Sequence, residues 1–152
     1  MNEGPLKERP LKEGVRKDAA GPSLGALALI IPNYDAAISF FTAIGFDLTA
    51  DIDQGHKRWV TVQPAGGGAA LVLAQPSSAA QSAAIGAQGA GRVWLFLHTD
   101  DFIRDAARIT AAGGLFEETP RDEPYGRVAV WRDPWGNRWD LIEPHSQARN
   151  QA

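Results

Sequence analysis

The chain of 152 residues has no cysteine, one methionine and only three histidines, His56, His98 and His145. Without thiols, disulfide frameworks, iron–sulfur clusters, thiolate zinc sites and cysteine nucleophiles are all excluded. That absence agrees with a cytoplasmic protein, which is the expected location. Any metal site has to be poor in histidine. Positive charge is not in surplus either, since the formal net charge is -3. Nothing therefore argues for a nucleic-acid partner or an anionic membrane surface. Long hydrophobic runs are also missing. The longest, Leu24 to Pro32, falls far short of the roughly 20 residues that a bilayer-spanning helix needs.

What remains has the balance of a globular chain, 44% hydrophobic and 22% charged, long enough for one domain or two half-domains sharing a core. Residues 1–23 stand apart: they interleave five basic with four acidic residues, and Pro-Leu-Lys-Glu occurs twice, at 5–8 and 10–13. So little apolar surface cannot offset the entropy of ordering, so a flexible tail is expected, with docking on a partner subunit as the other reading. The interleaved acids and the lack of an apolar core segment do not suit a signal peptide. Residues 77–91, rich in Ala, Ser, Gln and Gly, read as a connector with a helical turn near Gln81 to Ile85. Residues 146–152 form a short C-terminal tail.

Between these segments the chain repeats itself at an interval of 68 residues. Asn33-Tyr34 falls on Asp101-Phe102, Phe41-Thr42-Ala43 on Ile109-Thr110-Ala111, and Gly45 on Gly113. Val60 and Val62 fall on Val128 and Val130, Leu73 on Leu141, and Pro76 on Pro144. The register holds without a gap from 31–76 against 99–144. Each copy reads as a strand (26–31 and 93–99), a capped helix of about 11 residues, and three further strands. Asn33 and Asp100 or Asp101 are the expected helix caps, and Gly45 and Gly113-Gly114 the stops. The last two strands of each copy form a hairpin, 58–63 with 70–74 and 127–132 with 138–143. The expectation is an α+β fold of two βαβββ modules, residues 24–76 and 92–145, within one domain at 24–145.

Two stretches carry a resemblance. The first runs Leu29-Ile30-Ile31-Pro32-Asn33-Tyr34-Asp35-Ala36-Ala37-Ile38-Ser39-Phe40-Phe41 and closes with Gly45-Phe46. The second is Asp133-Pro134-Trp135-Gly136-Asn137-Arg138-Trp139-Asp140-Leu141-Ile142-Glu143-Pro144. Together they resemble the vicinal oxygen chelate superfamily, which holds glyoxalase I, bleomycin and fosfomycin resistance proteins and extradiol dioxygenases. The resemblance implies two modules joined edge to edge in a cupped mixed sheet, helices outside, with ligand or metal in the cup. It also implies a homodimer. The metal-binding positions of the family's enzymes fall here on Ala26, Val72, Trp94 and Asp140. Only Asp140 can ligate, so no metal and no other cofactor is expected.

Strand alternation assigns the faces of the cup. Trp94, Phe96 and His98 are expected to face it from the first strand of the second module, and Arg138, Asp140 and Ile142 from the last. Ala26, Ala28, Ile30, Ala70, Val72 and Ala74 would form an aliphatic wall opposite. Tyr125 is a candidate for the rim and Arg92 for pairing with an anionic ligand or with Asp140. Trp59 and Trp131 read as packing or dimer-contact residues, and Trp135 as a cap on the pocket mouth or a subunit contact. The ligand-binding candidates are thus Trp94, Phe96, His98, Tyr125, Arg138, Asp140 and Arg92. Asp140 and His98 are the catalytic candidates.

A carboxyl in an apolar cup titrates high unless Arg138, Arg92 or His98 compensates. Unpaired, Asp140 would suit a general base; paired, it would suit a ligand anchor or a structural ion pair. The expected function is metal-independent binding of a small hydrophobic or aromatic molecule, with a homodimer as the assembly. The alternatives are a lyase or isomerase that uses Asp140 and its neighbours for proton transfer, a metal enzyme with a relocated site, and a structural or interaction module whose cup is filled.

Overall fold

The computed structural model describes residues 20–146. The tails expected at 1–23 and 146–152 lie outside the described residues except for 20–23 and 146. The chain order is β1 (Ala26–Ile30), α1 (Tyr34–Ala43), β2 (Phe46–Asp53), β3 (Arg58–Pro64), β4 (Ala70–Ala74) and α2 (Ala79–Ala84). The second module follows as β5 (Val93–His98), α3 (Phe102–Ala112), β6 (Leu115–Phe116), β7 (Arg121–Glu123), β8 (Gly126–Arg132) and β9 (Arg138–Pro144). The two-module α+β architecture is present.

Local chemistry sets the helix limits. The Asn33 side chain accepts from the Ala36 amide at 2.9 Å and Asp101 from the Arg104 amide at 3.0 Å. Each removes one of the unpaired donors of a first helical turn. Gly113, at φ +109°, ends α3 in the left-handed region that a side chain disfavours. The second hairpin turn is organised by Asp133, which is buried. Its carboxylate accepts from the amides of Trp135, Gly136 and Asn137, from the Asn137 side chain and from the Trp139 indole, all between 2.9 and 3.1 Å. Those bonds explain the run Asp-Pro-Trp-Gly-Asn: one carboxylate neutralises the free donors of the whole turn.

The strands form two sheets rather than the single cupped sheet expected. One has the order β1-β4-β3-β2; the other has β5-β9-β8-β6, with β7 also on β8. In each, the first strand lies parallel to the last. No ladder joins the sheets among the described residues, and the free edge of β1 shows why. Gln88 of the connector accepts from the Ile30 amide at 2.7 Å and donates to the Ala28 carbonyl at 3.3 Å. A side-chain amide thus takes the place of a neighbouring strand. Gly86 fixes the same segment, since a Cβ there would lie 1.8 Å from the Trp135 carbonyl oxygen. The connector is therefore a clamp, and its expected helical turn is α2.

The second strand of the second module is broken into β6 and β7 around Pro120, which has no amide proton to donate. Glu118 covers part of the gap by accepting from the Val130 amide at 3.0 Å. One core serves both modules. Phe40 and Phe41 of α1 pack on Trp131, Trp135 and Trp139 of the second module, and Trp131 stacks on Trp139 at 5.0 Å.

The repeat carries one register slip. Val62 pairs with Leu71, both buried in the core, but the equivalent Val130 pairs with Asp140 rather than Trp139. A shift of one residue exchanges the faces of a strand. Ala129 and Trp131 of β8 therefore point to the core, and Val128 and Val130 share the opposite face with Ile142 and Asp140.

Candidate functional site

A cavity of about 490 Å³ opens where β5 passes the β3–β4 turn. Its walls include Leu27, Phe46, Leu71, Leu95, Phe96 and Trp139, with the Gly66-Gly67-Gly68 turn at its rim. The glycines leave the mouth low, since an added Cβ at Gly66, Gly67 or Gly68 would meet nothing within 4 Å. Leu27, Leu71, Leu95 and Leu97 come from the core-facing sides of their strands, so the cavity continues the core to the surface between the sheets. An apolar space of this size that carries few polar groups suits a small molecule.

Of the residues singled out from the sequence, this cavity gathers Phe96 and His98. Phe96 is 61% exposed although it is aromatic. Asp140 lies beside Phe96 in the ladder, with Val130 on its other flank, and faces away from the core as expected. The cavity wall does not include it. The expectation that Trp94 faces the cup is corrected: β5 bulges between Val93 and Leu95, and Trp94 packs against the core instead. An extra residue in a strand re-aims its side chain. Alternation alone could not show that.

Arg138 is spoken for. It bonds Glu117 at 2.9 Å and the Gly91 carbonyl at 2.9 Å, and Arg132 closes the other side of Glu117 at 2.5 Å. Arg138 makes no ion pair with Asp140. Tyr125, half exposed, sits in the β7–β8 turn, where its carbonyl accepts from the His145 amide at 3.1 Å. Arg92 precedes β5, and its amide donates to the Gly89 carbonyl at 3.1 Å. None of these three lines the cavity. Trp131 and Trp135 are packing residues, and Trp59 stays partly exposed.

Asp140 is 7% exposed and its Oδ1 has no hydrogen-bond partner among the described residues. Burial pushes its carboxyl above the ordinary aspartate range; Arg121 and Arg138 pull the other way and Glu118 adds to the rise. The pairing with Arg138, Arg92 or His98 that would have lowered it is not made. Sequence reasoning missed the two things that set this environment, the slip that brings Val130 beside Asp140 and the commitment of Arg138 to Glu117. It also missed the Arg104 and Arg108 side chains, which bound a second space beyond His98.

That architecture has known counterparts. A family model described as the Glyoxalase/Bleomycin resistance protein/Dioxygenase superfamily matches residues 23–141. The chain belongs to this superfamily. Among proteins of this kind, it is 45% identical over 125 residues to an uncharacterized protein of Shewanella frigidimarina (strain NCIMB 400), covering 80% of this chain and 93% of the relative. Among solved structures, UcmS2 superposes with a TM-score of 0.68 at 26% identity, over 82% of this chain and 99% of that one. TnmS3, an antibiotic binding protein from Streptomyces sp. CB03234, gives 0.63 at 30% identity, over 84% and 99%.

The superfamily's metal site can be tested on these residues. Its four positions hold Ala26, Val72, Trp94 and Asp140, a single donor, with Trp94 turned to the core. Among the described residues, no three His, Asp or Glu gather closely enough to hold an ion. One carboxylate does not satisfy a transition metal that wants three or four protein ligands. The residues do not fit the group. Among the described residues no helix is long and apolar enough to cross a membrane.

Proposed function

We propose that this superfamily member binds a small hydrophobic or aromatic molecule without a metal ion, against β5 in the cavity bordered by Phe96 and His98. The observation that carries the reading is the apolar space of about 490 Å³ left open beside an exposed aromatic ring. The 30% identity to an antibiotic binding protein supports it. A second copy of the chain fits the same reading, because the outer face of the first sheet is small and apolar over most of its extent and carries a charge, Asp47 beside Gln63, towards one end. Along that face Ala50, Thr61, Val72 and Ala28 stand in register across all four strands, and Ile52 stands beside Trp59. A homodimer would cover this face and close the cup that the two unjoined sheets leave open.

The test is a thermal-shift screen of the purified protein with aromatic antibiotics and with divalent ions, alongside metal analysis. A ligand present at about 100 times its dissociation constant adds about 2.7 kcal/mol of stability. Stabilisation by an organic ligand that Phe96→Ala diminishes is the expected outcome. Stoichiometric metal in the protein, or stabilisation by one ion alone, would overturn the metal-independent reading.

Asp140 favours a second reading, a lyase or isomerase in which this carboxyl moves a proton. Its unpaired Oδ1, and a carboxyl that burial makes more basic than an ordinary aspartate, are what proton transfer calls for. Turnover of a carbonyl substrate that Asp140→Asn abolishes would establish it; turnover unaffected by that change would remove it.

A further inference from the structure

A second space of about 640 Å³ adjoins the apolar cavity. The two share Phe46, Pro64, Gly66, Leu97 and His98 as walls, so they form one groove under the β3–β4 turn. Its far end is polar, bounded by Thr99, Asp100, Arg104, Asp105 and Arg108.

The hydrogen-bond inventory of that end is lopsided. Asp105 accepts from Thr99, twice from Arg104 and from Arg108, which fills both of its oxygens. Arg104 spends Nε and Nη2 on Asp105 and Asp100, and its Nη1 takes part in none of these bonds. Arg108 is 49% exposed, and its one bond among the described residues is that to Asp105, at 3.5 Å. Its Nη1 reaches to within 3.7 Å of the Cβ position at Gly45, so the guanidinium spans the gap between the modules. A guanidinium offers five N–H groups, and most of those on Arg108 face the groove or water unused. An incoming group therefore meets spare donors, with the nearest carboxylate already saturated. His98 stands at the junction, and its ring makes no hydrogen bond among the described residues.

We infer that the groove takes an amphiphilic carboxylate, its apolar or aromatic body between Leu27, Leu71 and Trp139 and its acid group on Arg108, with His98 between. This rests on the reading of the apolar cavity as a small-molecule site and names the class of molecule it selects. Charge-assisted bonds from a planar guanidinium to a carboxylate are the strong ones, whereas a neutral amide leaves them weaker.

The experiment is calorimetric titration of the full chain with 4-(naphthalen-1-yl)butanoic acid and with the corresponding primary amide. The acid is expected to bind about ten-fold more tightly. Arg108→Gln should remove most of that preference, and Arg108→Lys, which keeps the charge without the fork, should restore part of it. Equal affinities for acid and amide, or a preference that survives Arg108→Gln, would overturn the carboxylate inference while leaving the apolar site in place. Failure of both probes to bind would overturn the apolar site and the inference together. Because Arg108 is on the surface, its variants are expected to fold, and circular dichroism of each checks this.

Discussion

Asp140 is the residue at which local environment and sequence disagree most. A buried carboxyl without a partner is easier to protonate than in the unfolded chain, so the native state holds its proton to a higher pH. Over the interval from the ordinary aspartate range up to the raised folded value, the folded state binds more protons than the unfolded one. Stability then falls as pH rises through that interval. Asp140→Asn removes the group, so the difference in Tm between variant and parent should move in favour of the variant as pH rises from 4 to 8. Melting both proteins by differential scanning fluorimetry across this range checks it; a difference that stays flat would show that Asp140 is ionised and compensated throughout. Glu117 has the opposite sign. The Arg138 bond holds its carboxyl low despite partial burial, and Arg132 helps, so its contribution is present at neutral pH and is lost as pH falls through its folded value.

At the scale of elements, the connector between the modules does more than span a gap. Gln88 occupies the free edge of β1, Gly86 lies against the Trp135 carbonyl, and a Cβ at Gly89 would meet Trp94 at 2.7 Å. An unpaired strand edge is a template for unwanted pairing, and a side-chain amide across it blocks the approach of another strand. Gln88→Ala should cost about 1 kcal/mol for two hydrogen bonds, one partly buried and one exposed, read from chemical denaturation with an unchanged slope. Gln88→Glu retains the acceptor for the Ile30 amide and loses only the donor, so it should fall between the two. Equal stability of all three would show that the edge is satisfied by water alone.

For the whole molecule, the two faces that look away from the helices differ in character. The first sheet presents mostly small and apolar residues, with Asp47 towards one end, and Ile52 is 54% exposed and Trp59 39% exposed. The second presents the Glu117–Arg132–Arg138 cluster together with Asp140 and Phe96. A stable interface buries roughly 1,200 Å² or more, and the largely apolar face of a four-stranded sheet can supply much of it. Light scattering across a wide concentration range should therefore give a dimer, and Ile52→Lys should weaken it by placing a charge in that face. A monomer at every concentration would remove the homodimer from the functional reading.

Much of this molecule is legible in its residues because the signals are local. Asn33 and Asp101 cap helices, Gly113 ends one, and apolar spacing sets the faces of α1 and α3. The interval of 68 residues states that the same unit occurs twice. The caps, stops and apolar faces depend on neighbours within a few positions, and the repeat is read by laying the chain on itself. Only the tertiary structure decided the rest. A bulge at Trp94 and a slip of one residue at Val130 exchange faces without changing composition, since strand alternation has a period of two and carries no memory of register. The edge taken by Gln88, the pairing of Arg138 with Glu117, and the groove from Leu27 to Arg108 join residues at least 21 positions apart. Such contacts are fixed by which surfaces pack together, and that follows from the free energy of the whole fold.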